Sequence, residues 1–213
     1  MNFNKHYQLE GKHAVLSASS WRWLNDDEES LVKRIRSQYA TEIGTILHNV
    51  AYNHIKYRIK MNKYDKKNVM LQLLTHGIPG FVVDALDFDS MFENLMTYVN
   101  DGVGFKMEPE VVLCYSDNAF GTADSIAFSD RDRFLRIHDY KSGSTPAHME
   151  QLLIYAAYFC LEYRKKPHEF ESELRIYQNN AIVYHNPAPN EITDVMNIIV
   201  NHDKFLSKQK EEV

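Results

Sequence analysis

The stretch GTADSIAFSDRDRFLRIHDYKSGSTPAHMEQLLIY, residues 121–155, constrains this chain most. Its composition predicts two strands around a polar turn, then a loop and a helix. Asp124 falls inside the first of these strands, where a charged residue is normally disfavoured. Asp139 and Lys141 are two residues apart on the second strand, so both side chains point to the same face. Charged groups on adjacent strands therefore indicate a functional patch.

The remaining chain supplies elements around this patch. Strands are predicted at residues 108–115, 120–128, 133–142, 172–178 and 181–185. Helices are predicted after Ser17–Ser20, from Thr41 to Tyr64, and at residues 68–76, 87–100, 147–164 and 189–210. This order predicts an α/β fold with a central mixed β-sheet flanked by helices. We expect one domain over residues 1–213, comprising a mainly helical part at 1–105, the sheet and its helix at 106–188, and a C-terminal helix at 189–213.

Composition excludes several classes of protein. No apolar run approaches the roughly 20 residues of a membrane span, and the first residues have no secretory signal, which predicts a cytoplasmic protein without a membrane partner. Two cysteines are too few for a four-cysteine iron–sulphur cluster. The net charge of −5 argues against a protein that merely coats nucleic acid. It is compatible with an enzyme that gathers carboxylates at a metal site and holds DNA through local basic patches.

The acids and the lysine of the patch suit one kind of chemistry. Two carboxylates from neighbouring strands can bind one or two Mg²⁺ or Mn²⁺ ions, which prefer oxygen ligands. Such an ion activates water and neutralises charge that develops on a phosphate, and Lys141 can stabilise the same charge. The Tyr140 carbonyl, between Asp139 and Lys141, is available as a further ligand. Taken alone, an Asp-x-Lys sequence is also a common surface ion pair.

The context extends beyond the two strands. Gln151 and Tyr155 are four residues apart on the predicted helix and share a face. The segments GTAD, HDYKSG and EQLLIYAAYF, in this order, resemble the RecB-like branch of the PD-(D/E)XK nucleases, which includes phage recombination exonucleases. The resemblance covers about residues 108–160, and LSASS and GTILH extend it loosely. Ala123 stands where the family name has proline. The resemblance implies a restriction-endonuclease-like core.

The resemblance also implies roles for single residues. Asp124 and Asp139 would be metal ligands, with the Tyr140 carbonyl, and Lys141 the catalytic lysine. Bound ions would be Mg²⁺ or Mn²⁺, one or two of them, and no iron–sulphur cluster is expected.

Further positions follow from the same resemblance. Glu110 matches an upstream catalytic acid, with Glu108 as its rival. His48, in GTILH, matches a helical histidine that binds metal. Gln151 and Tyr155 would orient the site and contact the DNA backbone.

Lysines near His48 suggest how DNA would be held. Lys56, Lys60, Lys63 and Lys67 fall on one side of the predicted second helix if it continues that far. A basic stripe beside a metal ligand suits a phosphate backbone, so we expect Lys56 and Lys60 to bind substrate. Ordinary surface lysines, kept for solubility, are the alternative.

These features predict a metal-dependent deoxyribonuclease, an exonuclease acting in recombination, repair or phage DNA metabolism, in the cytoplasm of a bacterium or a phage-infected host. A catalytically silent DNA-binding or regulatory protein with a nuclease fold is the alternative. DNA is the expected partner, and a single-strand-binding or recombination protein is a further candidate. The sequence leaves open endonuclease action, polarity, strand preference, RNA cleavage and oligomeric state.

Overall fold

The structure of the protein is a computed structural model that describes residues 5–7, 14–143 and 145–211. The chain divides into two compact units, Met1–Glu42 and Ile43–Val213. All the residues predicted to form the site belong to the second unit. Within the described ranges, no helix has the length and apolar character needed to span a membrane.

The second unit contains a five-stranded sheet and its helices. The helices are α1 (Glu28–Lys56), α2 (Lys66–Thr75), α3 (Gly80–Asp84), α4 (Phe88–Gly104), α5 (Glu150–Tyr163) and α6 (Pro189–Glu211), of which α1 begins in the first unit. The strands are β1 (Glu108–Ser116), β2 (Ala119–Ser129), β3 (Phe134–Tyr140), β4 (Glu171–Gln178) and β5 (Ala181–His185). Short 3₁₀ helices lie at Ala18–Asn25, Lys63–Asp65 and Pro167–Glu169. The predicted α/β class with a mixed sheet flanked by helices is confirmed.

The strands lie in the order β1-β2-β3-β4-β5. All neighbours are antiparallel except β3 and β4, which run parallel because α5 carries the chain from one to the other. Helix α5 packs on one face of the sheet, where its apolar side chains form the main core with Leu113, Ile137 and Leu174. Helix α4 contacts β3 and β4, and Tyr98 of α4 stacks on Tyr140 at 5.8 Å between ring centroids.

Helix α1 corrects one part of the prediction. The sequence was expected to form two helices with a new start at Thr41, but α1 passes through Thr41 without a break. No glycine or proline interrupts the chain between Asp27 and Thr41, so nothing there favours a helix end. Asp27 provides the start signal instead, since its carboxylate accepts the backbone N–H of Ser30 at 2.8 Å.

The end of α1 corrects the prediction that four lysines lie on one side of a continuous helix. The helix stops at Lys56 because Arg58 adopts a left-handed backbone with φ of 59°. The Ile59 N–H bonds the His54 carbonyl at 2.9 Å, and the Arg58 N–H bonds the Ile55 carbonyl at 3.1 Å, which together form a Schellman motif. The proposed stripe required one helix and is therefore wrong as a helical face. Of its members, only Lys56 lies on α1.

A close contact joins α4 to the part of α1 that belongs to the second unit. A methyl group placed on Gly102 of α4 would lie 2.8 Å from Cδ1 of Ile55, which is fully buried in α1. Ile55 is two turns along α1 from His48. The absence of a side chain at Gly102 therefore fixes how closely the helix carrying His48 approaches its neighbour.

We predict that Gly102→Ala is less stable than Gly104→Ala by about 1–3 kcal/mol, because the added methyl overpacks the contact with Ile55. Gly104→Ala is the matched control, since nothing lies within 4 Å of a methyl at that position in the same helix. It should be neutral or stabilising by up to about 1 kcal/mol. Urea unfolding of both variants tests this, and equal stability of the two would contradict the contact as described.

Candidate metal and catalytic site

The site forms at an interruption in the pairing of β1 and β2. Pro109 pairs with Ser125 and Val111 pairs with Ala123, but the opposed residues Glu110 and Asp124 form no ladder pair. Glu110 has a left-handed backbone with φ of 53°, a conformation that costs a residue with a side chain about 1–2 kcal/mol. Such local strain concentrates at functional sites. The interruption brings two acids to one level of the sheet.

A histidine from α1 completes a three-residue group. His48 Nδ1 lies 3.5 Å from Asp124 Oδ2. One ligand atom from each of His48, Glu110 and Asp124 lies within 4.8 Å of the other two, and such a group can hold a metal ion. Glu108, the rival acid, instead pairs with Arg58. The structure therefore places Glu110, and not Glu108, beside Asp124 and His48.

Asp139 lies beside this group without being part of it. It lies opposite Asp124, one position beyond the Ser125–His138 pair of β2 and β3, and its Oδ1 accepts Lys141 Nζ at 3.0 Å. Its Oδ2 is buried and has no hydrogen-bond partner among the described residues. A buried carboxylate oxygen without a partner is costly, and a cation is one way to satisfy it.

The backbone of Tyr140 joins the two parts of the site. Its N–H donates to Asp124 Oδ2 at 3.0 Å, and its backbone acts to raise the pKa of His48 against the larger lowering effect of burial. The side chain is fully buried, with its ring edge-on to His48 at 5.7 Å. The predicted ligands His48, Asp124, Asp139 and Tyr140 are thus all neighbours, and Glu110 joins them as a closer member of the metal group than Asp139.

The carboxyl groups carry strongly perturbed pKa values. Burial, reinforced by the charge of Asp124, raises the pKa of Asp139 to about 7. Burial also raises the pKa of Asp124 to about 6, against the opposing effects of the Tyr140 N–H and Lys141. Burial lowers the pKa of His48, so its ring is held neutral. A neutral imidazole and crowded carboxylates form a donor set that fits a divalent cation.

Lys141 is held by a hydrogen-bonded chain that runs to α5. Besides Asp139, its Nζ contacts Gln151 Oε1 at 3.3 Å, and Gln151 Nε2 donates to the Tyr155 hydroxyl at 3.2 Å. A methyl on Gly121 would lie 3.0 Å from Cε1 of Tyr155. The glycine thus leaves room for Tyr155 beside β2. Gln151 thus contacts the lysine, and Tyr155 contacts Gln151. Their predicted role in binding substrate stays a prediction.

The predicted substrate lysines stand apart from this cluster. Lys56 lies two turns after His48 on α1 and donates to the Tyr52 hydroxyl at 2.7 Å. Lys60 is exposed in the following loop. Tyr52 has a spacing of four from both His48 and Lys56, which places all three on one helical face.

His138, adjacent to Asp139, belongs to a different environment. It is fully buried, and its Nδ1 contacts the Tyr177 hydroxyl at 3.2 Å. That hydroxyl donates to Asp101 Oδ2 at 2.6 Å, and Asp101 also pairs with Arg175 at 2.9 Å. These groups form a polar network under α4 that supports the sheet.

A family model described as "Protein of unknown function (DUF2800)" matches residues 13–165. The chain belongs to the DUF2800 family. The DUF2800 match includes every member of the site, from His48 to Tyr155, and ends before β4. A search of curated proteins and a search of solved structures each found no match.

The raised carboxyl pKa values predict how stability depends on pH without metal. Because Asp139 and Asp124 hold protons more tightly when folded than the ordinary value of 3.8, folding is favoured at low pH. That contribution is fully present below 3.8 and is lost progressively as the pH rises from there through about 6 to about 7. Asp139→Asn should therefore stabilise the metal-free protein at about pH 8 and flatten its decline.

Urea unfolding in a chelator at about pH 5 and about pH 8 measures this effect. Asp194→Asn, at an exposed position of α6, is the control and should leave the decline unchanged. An equal decline in wild type and Asp139→Asn would show that Asp139 is not held in the environment described.

Proposed function

We propose that this protein is a metal-dependent deoxyribonuclease of the RecB-like PD-(D/E)XK type, which hydrolyses DNA phosphodiester bonds. The observation that carries the proposal is the convergence of His48, Glu110 and Asp124 within 4.8 Å of one another, next to an Asp139–Lys141 pair. These residues come from α1, β1, β2 and β3, with Lys141 directly after β3. Structural ion pairs seldom need four elements, a strained backbone and a buried, unpartnered carboxylate oxygen together.

In this proposal His48, Glu110, Asp124 and Asp139, with the Tyr140 carbonyl, would hold one or two ions of Mg²⁺ or Mn²⁺. Carboxylate and carbonyl oxygens suit both metals, and one imidazole ligand is compatible with Mn²⁺. A cation bound there would lower the pKa of a coordinated water and neutralise charge that develops on the phosphate.

Lys141 would act on the scissile phosphate. Its amine is held by Asp139 and Gln151 while about a third of the side chain remains exposed. An oriented ammonium of this kind can position the attacking water or stabilise the developing negative charge. Tyr155 holds Gln151, and Gly121 makes room for Tyr155, so both contribute by fixing the position of the lysine.

The biological setting belongs to the same proposal. An exonuclease that degrades DNA from its ends in recombination, repair or phage DNA metabolism, in the cytoplasm, suits this site and this resemblance. A single-strand-binding or recombination protein is the proposed partner.

We expect purified protein to degrade linear DNA with Mg²⁺ or Mn²⁺ and to leave closed circular DNA intact. Lys141→Ala and Asp124→Ala should each lower the rate by about 100-fold or more, because each removes charge stabilisation that acts in the transition state. The rate of release of acid-soluble nucleotide measures the loss.

Matched controls come from exposed positions of α6. Lys204→Ala and Asp194→Ala remove the same charges away from the site and should keep wild-type rates. Cleavage of circles would replace exonuclease with endonuclease action. If the intact protein cleaves no DNA with either metal, or the site variants cleave as fast as the controls, the nuclease proposal fails, and the catalytically silent DNA-binding protein becomes the better account.

A further inference from the structure

Residues 52–67, YNHIKYRIKMNKYDKK, form the most basic stretch of an acidic chain, and we call it the basic segment. It carries five lysines and one arginine against one aspartate, whereas the whole chain has a net charge of −5. Arg58 and Lys66 pair with Glu108 and Asp89. Among the described residues, no ion pair is formed by the other four cations, Lys56, Lys60, Lys63 and Lys67. Such a group of unpaired cations favours association with a polyanion.

The basic segment is anchored at three points. The Arg58 side chain bonds the Met107 carbonyl and Glu108. Met61 is buried, and its backbone exchanges two hydrogen bonds with the side-chain amide of Asn100, at 2.8 and 3.0 Å. Asn62 and Asp65 form a capping box at the next turn. With the Schellman motif at Arg58, these contacts fix the backbone of the loop.

The residues between the anchors point into solvent. Tyr57 and Tyr64 are 64% and 77% exposed, and Ile59 is 54% exposed. Lys60 and Lys63 are exposed beside them, and the Lys63 amine lies over the Tyr64 ring at 5.3 Å. A fixed backbone that presents exposed aromatic rings among lysines is a preorganised surface, since little ordering remains to oppose binding.

The basic segment leads directly to the metal group. His48, Tyr52 and Lys56 are spaced by four residues on α1 and therefore share one face. Lys56 lies about 12 Å along the helix axis from His48. Its amine bonds the Tyr52 hydroxyl and lies 4.9 Å from the centre of the Tyr52 ring. A strand that rests on the segment can thus continue along this face toward Asp124 and Glu110.

We propose that the basic segment binds a single strand of DNA, with bases stacked on Tyr57 and Tyr64 and phosphates held by Lys56, Lys60 and Lys63. Lysines alone would suit any polyanion. The tyrosines favour a single strand, because only unpaired bases offer free faces for stacking. The inference rests on the proposed function and adds to it the substrate class: DNA with a single-stranded end that this surface feeds toward the site.

The test is binding of a fluorescein-labelled oligo(dT) of about 16 nucleotides, followed by anisotropy in a chelator so that no cleavage occurs. Tyr57→Ala with Tyr64→Ala should weaken binding by about 25-fold or more, at about 5-fold for each lost stack. The corresponding double phenylalanine variant should bind like wild type, because the rings remain. Lys60→Gln with Lys63→Gln should reduce the salt slope by about 0.7 per lysine.

Matched controls lie elsewhere on the chain. Tyr184→Ala removes a 69% exposed tyrosine from β5, and Lys204→Gln with Lys208→Gln removes two exposed lysines from α6. Both should keep wild-type affinity. The inference is overturned if the double alanine variant binds like wild type. It is also overturned if the variant loses duplex binding equally, or if wild type binds anionic vesicles in preference to the oligonucleotide.

A cleavage assay run in parallel separates this inference from the proposed function. If the wild-type protein cleaves DNA with metal and the double alanine variant binds the oligonucleotide as well as wild type does, the inference alone is overturned. Tyrosine-dependent binding without cleavage of any DNA overturns the proposed function alone and leaves the basic segment as a single-strand-binding surface.

Discussion

The placement of two carboxyl groups side by side in the interior, those of Asp124 and Asp139, is the constraint on which the rest of the site depends. Burial raises both pKa values, and the charge of Asp124 raises the pKa of Asp139 further. The amine of Lys141 pairs with Asp139. The negative charge of Glu110 raises the pKa of Asp124 further. Such an arrangement opposes folding at neutral pH unless positive charge is added, which is why a cation-binding role accounts for it better than a structural one.

The surrounding structure serves to hold these acids together. Gly102 allows α1 to pack closely on α4, which sets the place of His48. Gly121 allows Tyr155 to approach β2, so that the chain through Gln151 reaches Lys141. Gly102 and Gly121 therefore allow the two helix contacts that position the side chains of His48 and Lys141 beside the acids. Each contact is remote from the others in sequence, so the site is a property of the whole second unit.

Much of the sheet could be predicted because alternation and polar turns mark each strand. All five predicted strands end within about two residues of their observed ends. Threonine is common at helix starts, so Thr41 wrongly suggested that a new helix begins there. Helix α1 continues through Thr41 because no glycine or proline interrupts the preceding residues. The end of α1 was equally hidden, because Arg58 takes a left-handed conformation usually adopted by glycine.

The site residues likewise divide into those that local sequence spacing predicts and those that it does not. Local spacing places Asp139 with Lys141 and Gln151 with Tyr155, since two-residue and four-residue periods are sequence properties. His48 and Glu110 entered only through resemblance to a nuclease family. The choice between Glu108 and Glu110 needed coordinates, because the left-handed backbone of Glu110 and the Arg58 contact of Glu108 leave no trace in the sequence.

Binding of Mn²⁺ tests the central claim most directly, because it requires no assumption about substrate. Electron paramagnetic resonance of free Mn²⁺ during titration counts the bound ions for wild type, His48→Ala, Asp124→Asn and the exposed control Asp194→Asn. We predict saturable binding by wild type and the control, and affinity weakened by about 10-fold or more in the two site variants. Absence of binding by wild type, or equal binding by all four proteins, would contradict the account.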